Sequence, residues 1–259
     1  MSATATATAA PRRRSPLRAM TRTELRLMLR EPIIFFWCIA FPALVLIILG
    51  AIRSDRRPSA HYGGASLVSV YVPILVSFAI GMVALNALPP QLSAYRERGV
   101  LRRLRTTPVG ALRLVAAQLA VFLLIALCST LLLLAIGRLA FGVGLPDRWA
   151  LYLVELALTI AAMLALGVLI ASLAPSSRVA NACGALVFFP MMFFAGLWLP
   201  REAMGTVLRH ISDFTPLGAG VGAMQDAARG AALAPSHLIV IVVYAVVCVG
   251  LAIQSFRWE

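Results

Sequence analysis

The chain has 259 residues, of which 61% are hydrophobic and only 13% charged. Soluble domains average roughly 45–50% apolar residues, so this composition excludes an ordinary water-soluble fold. The formal net charge is +13 and all 23 basic residues are arginine, with no lysine. Basic nucleic-acid binders are not this apolar; the excess reads as the inside–outside bias of a membrane protein, without a nucleic-acid partner.

The opening "MSATATATAAPRRRSP" (1–16) is low in complexity and is expected to be a disordered cytoplasmic tail. It is not read as a signal peptide, because the apolar run that follows is too long and lacks a small-residue cleavage site. A helix is predicted over 17–31. Thr21 and Glu24 have the spacing of a capping box, and Arg22, Arg26 and Arg30 share one face. Leu25, Met28 and Leu29 occupy another face, which suits a helix lying among lipid headgroups. A helix docked on a cytosolic partner is the other reading.

Six membrane spans are predicted at 33–52, 65–88, 114–137, 149–173, 179–199 and 238–256, each near the roughly 20 apolar residues that cross a bilayer. Five carry no charge; the fourth contains Glu155 near one end, where neighbouring leucines offset its cost. Pro42, Pro73 and Pro190 are expected to kink their spans. The four cysteines lie in apolar stretches without metal spacing, and the three histidines form no catalytic or zinc motif.

Orientation follows from the arginines. Seven precede the first span, six lie between spans two and three, one between four and five, and one after six; the remaining eight fall on the other side. Both termini are therefore expected in the cytoplasm. The one long connection, 200–236, lies outside. It carries apolar spacing at Met204, Val207, Leu208 and Ile211, a turn at Thr215-Pro216 and a second helix near 221–228, which suits short helices capping or re-entering the outer leaflet.

"YRERGVLRRLRTTPVG" (95–110) sits between spans two and three. At helical spacing Arg98, Arg102 and Arg105 share one face, Val100, Leu101 and Leu104 another, and Pro108 ends the element. Setting orientation and touching anionic lipid is the plainer role for these arginines. The stretches "RTELRLMLREPIIFFWCIAFP" and "SAYRERGVLRRLRTTPVGALRL", however, resemble the membrane subunit of a type-2 ATP-binding-cassette (ABC) exporter, the group that includes daunorubicin-resistance permeases. Arg96, Gly99, Arg103, Leu104, Arg105, Thr107, Pro108 and Val109 match in order the family's coupling-helix pattern R-x-x-G-x-x-x-R-L-R-x-T-P-V. "FFAGLWLPREAM" and "ISDFTPLGAGVGAMQDAARG" resemble its outer segment, with Gly205 where many members carry proline.

The resemblance implies an all-α integral membrane domain over 17–259, with six spans and a cytoplasmic coupling helix at 93–106. It implies export of a hydrophobic or amphipathic compound across the plasma membrane by two permease subunits. A P-loop needs its lysine, so a chain without lysine holds none. ATP and magnesium then belong to a separately encoded ATPase, and this chain has no catalytic residue, metal or cofactor of its own. Arg96, Glu97, Arg98, Gly99, Arg102, Arg103, Leu104 and Arg105 are the expected ATPase-coupling residues. The family's translocation path between spans two and five singles out Phe78, Met82, Met191 and Phe194 as cargo contacts, with ordinary helix packing as the other reading. Asn86 and Asn181 suit either cargo contacts or interhelical hydrogen bonds. A secondary transporter or a non-catalytic membrane scaffold are the alternatives. The first would place paired ionisable groups at the midplane, and only Glu155 lies in a span. An intramembrane hydrolase would need Ser–His, paired Asp or zinc-ligand histidines within the spans, where none lies.

Overall fold

A computed structural model describes residues 16–59, 62, 64–100, 103, 111–232 and 234–255. Among these residues every regular element is helical. Helix α1 (Pro16–Met28) precedes α2 (Pro32–Ala51), α3 (Leu67–Glu97), α4 (Ala111–Phe141), α5 (Trp149–Leu173) and α6 (Ser177–Ala195). Two short helices follow, α7 (Thr206–Asp213) and α8 (Pro216–Ala228), then α9 (Pro235–Ser255). Helices α2 to α6 and α9 are the six long and apolar enough to cross a membrane, which bears out the all-α membrane class.

Several boundaries differ from the sequence reading. The second span does not stop near 88 before a separate helix at 93; α3 runs unbroken to Glu97. Pro89 and Pro90 both lack an N–H, and a π-helical turn over Met82–Ala87 absorbs them where an α-helix would clash. Helix α1 starts at Pro16, so Thr21 and Glu24 lie inside it and form no capping box. Met28 is buried but Leu29 is 60% exposed, so the stripe that faces the bundle is Glu24, Leu25 and Met28. The expected tail over 1–16 falls outside the described residues, apart from Pro16.

Helix α3 is the axis of the bundle. Its apolar stretch is 78% buried, against 22% for α9 at the outside of the bundle. Ile74, Leu75, Phe78 and Leu85 of α3 form the core with Leu156, Ile160 and Met163 of α5, Phe188 and Met192 of α6, and Leu217 and Val221 of α8. Lipid is as apolar as leucine, so close backbone approach rather than water exclusion decides which helices associate. Gly184 of α6 shows this: a Cβ there would overlap the Leu85 carbonyl oxygen, and one at Gly167 of α5 would overlap that of Ala84. Both carbonyls belong to the π turn. Pro89 has no N–H to donate to the Leu85 carbonyl, and the Leu88 N–H donates to the Val83 carbonyl rather than that of Ala84, so neither carbonyl has its α-helical partner.

Prolines within the spans have particular accommodations. Pro42 removes the N–H that would bond the Cys38 carbonyl, and a π turn over Phe36–Ala40 precedes it. Ser129 of α4 donates its hydroxyl to that carbonyl at 2.8 Å. Pro73 and Pro190 sit inside α3 and α6, which continue as helix on either side.

Helix α8 re-enters the bundle. Pro216 occupies its first turn, and the Gly218 N–H donates to the Thr215 side chain at 3.1 Å. It is buried along nearly its whole length among α3, α5, α6 and α9. Glycine and alanine at 218–220, 222 and 223 make it thin enough to fit.

Candidate functional site

The basic end of the bundle gathers α1, the end of α3 and the α5–α6 turn. Three consecutive residues of α3 point in two directions there. The Tyr95 hydroxyl donates to both carboxylate oxygens of Glu24, at 3.1 Å each, and joins α3 to α1. Glu24 is buried; burial raises its carboxyl above the ordinary value and outweighs the Tyr95 hydrogen bond, which lowers it.

Arg96 and Glu97 hold the other side. Arg96 donates to the Ala171 and Ser172 carbonyls at 3.2 and 3.3 Å, and also to Ala174. These are carbonyls of the last turn of α5, which has no further helical N–H to accept from. Glu97 accepts from the Ser177 N–H and the Ser177 hydroxyl, each at 2.9 Å, at the first residue of α6. A cation thus meets a helix C-terminus and an anion a helix N-terminus, the favourable sign in both cases.

Gly99 ends α3. Its φ of +66° is left-handed, and its N–H donates to the Arg96 carbonyl at 2.9 Å, as in glycine-terminated helices. The Arg103 N–H then donates to the Gly99 carbonyl at 3.1 Å. Arg98 and Arg103 are exposed. Arg102, Leu104 and Arg105 lie outside the described residues. The eight expected coupling residues therefore divide at Gly99: Arg96 and Glu97 bind their own chain, and the basic run continues beyond.

Of the four expected path residues, Phe78, Met82 and Met191 meet around one core, and Phe194 is partly buried in the last turn of α6. Phe78 is 5% exposed and continues an aromatic series from Trp37 and Phe41 to Phe188, with ring centroids 5.0 to 5.6 Å apart. Asn86 lies 3.6 Å from the Met82 sulfur, and Asn181 is exposed on α6.

At the far end the structure reveals a polar cluster that the sequence reading missed. Arg201 is 4% exposed and donates to Ser212, Asp213 and the Gly218 carbonyl. His237 Nε2 lies 3.1 Å from the Asp213 carboxylate, and Nδ1 lies 3.8 Å from that of Asp226. Burial opposes ionisation of Asp213, but Arg201 and then His237 outweigh it and hold this carboxyl below its ordinary value. Asp226 goes the other way: burial raises it, against His237 and three arginines. Glu155, read as a charge near a span end, is fully buried, and neither oxygen has a hydrogen-bond partner among the described residues. The available signal was an ionisable residue at each edge of an apolar run: Arg201, Asp213 and His237. Nothing in their spacing announces that they converge.

No candidate metal cluster occurs among the described residues. No curated protein matches the chain closely enough to be called a relative. The profile of the ABC-2 type transporter membrane domain, described as "ABC-2 type transporter", matches residues 16–228, from the first residue of α1 to the last of α8. Domains of this kind are transport subunits rather than enzymes and work with an ATP-binding subunit. Six spans, a re-entrant helix and a basic segment after the second span fit that description, and the chain belongs to the ABC-2 type transporter family as a multi-pass membrane permease.

Proposed function

We propose that this permease exports a hydrophobic or amphipathic compound across the plasma membrane, as one of two permease subunits driven by a separately encoded P-loop ATPase. ATP and magnesium bind to that ATPase; a chain without lysine offers no P-loop. The observation that carries the reading is the basic segment after Gly99. It begins where α1, α3 and the α5–α6 turn are bonded together, so a partner pushing on it acts on four helices. The arginine bias supports a cytoplasmic position for this end and for both termini.

The aromatic and thioether residues Phe78, Met82, Met191 and Phe194 suit an apolar cargo path, opened when the packing of α3 on α6 changes, as does the resemblance to daunorubicin-resistance permeases. The test is efflux from cells expressing the chain with its ATPase, probed with cationic dyes, anthracyclines and fluorescent phospholipids. The expected result is that at least one probe leaves at a rate that depends on the ATPase's hydrolytic residue. Efflux of every probe indifferent to that residue contradicts the reading.

A further inference from the structure

We infer that Arg96 and Glu97 are positioning residues: they brace the end of α3 to the α5–α6 turn, so that a push on the segment after Gly99 moves α3, α5 and α6 as one body. This rests on the proposed coupling to an ATPase, but it assigns the two residues to the permease's interior linkage and not to the ATPase contact.

The bonds are long-range. Arg96 reaches residues 75 to 78 positions away and Glu97 reaches one 80 positions away. Local capping does not explain them, because α6 already has its own cap: the Val179 N–H donates to the Ser176 hydroxyl at 3.2 Å. Both guanidinium Nη atoms are directed at α5 carbonyls and both carboxylate oxygens at Ser177. The same three helices touch again higher up, where Gly167 and Gly184 admit the Ala84 and Leu85 carbonyls of the π turn. Contact at two heights resists tilting of one helix against another; contact at one height would act as a pivot. Gly99 then separates the brace from the arginines that follow it, since its left-handed φ breaks the α3 axis.

Hydrogen–deuterium exchange of the permease–ATPase complex in lipid nanodiscs tests this, with native cysteines left in place. In the wild type, trapping with ATP and orthovanadate is expected to change exchange at least twofold, both in peptides following Gly99 and in peptides spanning Leu173–Ser177. In R96A/E97A the first change persists while the second falls below a quarter of its wild-type size. E97Q preserves it, because the glutamine carbonyl still accepts from the Ser177 N–H; this separates the bond from the charge. A turn response that survives R96A/E97A overturns the inference. So does loss of the ATPase from the R96A/E97A complex, which would place the pair on the docking surface. If no ATPase accompanies the wild-type chain, it is the functional reading that fails. A nucleotide-free comparison then decides the brace: E97A must speed exchange at Ser177 at least tenfold, and unchanged exchange rejects it.

Discussion

Asp213 and Asp226 lie on either side of the same imidazole and are shifted in opposite directions, which gives a sign test at the level of single residues. Asp213 has its folded value lowered, so its contribution is fully present above the unfolded carboxylate value near 3.8 and is lost as pH falls through the lower folded value. Asp226 has its folded value raised, so its contribution is present in acid and lost as pH rises through that value. At neutral pH the first stabilises and the second costs. Replacing Asp213 with Asn should therefore destabilise by about 3 kcal/mol, the low end for stranding a buried arginine, because Asp213 is itself 29% exposed. D226N should leave stability unchanged or raise it. Thermal unfolding of both variants in nanodiscs checks this, and equal losses would refute the assignment.

At the scale of elements, the distinctive devices are the two π turns and the groups that answer them. Ser129 is needed because Pro42 leaves the Cys38 carbonyl without an N–H. S129A should cost about 1–3 kcal/mol, the penalty for a buried unsatisfied acceptor. In a P42A background, where the N–H returns, the same change should cost less than about 0.5 kcal/mol. A double-mutant cycle showing full additivity would separate the serine from the proline. These devices also mark where the sequence was legible. Uninterrupted apolar runs, charge at their edges and the Thr215-Pro216 turn made the six spans and the re-entrant segment readable, although α8 begins at Pro216 and not near 221. The length of α3 was not, because Pro89-Pro90 looks like a stop until the π turn shows how the helix passes it. Nor was the direction of Arg96 and Glu97, because their partners lie at the ends of helices 75 or more residues away.

The whole molecule is expected to have one orientation, with its basic end in the cytoplasm. Gly222 lies against Arg201 and His237 inside the bundle, so outside positions must be chosen elsewhere; Ser54 and Ala232 are exposed at the far end, and Pro175 is exposed at the basic end. With the native cysteines replaced, S54C and A232C should react with an impermeant maleimide on intact cells, and P175C only after permeabilisation. Labelling of P175C on intact cells would invert the topology and leave the basic segment on the wrong side for an ATPase.

The central claim is that a separate P-loop ATPase grips Arg98 and the arginines beyond Gly99. Arg98, Arg102 and Arg105 replaced by lysine keep the charge that orients the chain but lose the planar, bidentate guanidinium. The most direct measurement is purification of the tagged chain from its own membrane in mild detergent, followed by assay of orthovanadate-sensitive ATP hydrolysis and identification of the accompanying chains. The account predicts a P-loop ATPase and its activity in the wild-type eluate, and loss of both, or hydrolysis no longer coupled to efflux, in R98K/R102K/R105K. An eluate without a P-loop ATPase, or a triple variant that retains the ATPase with full coupling, would contradict it.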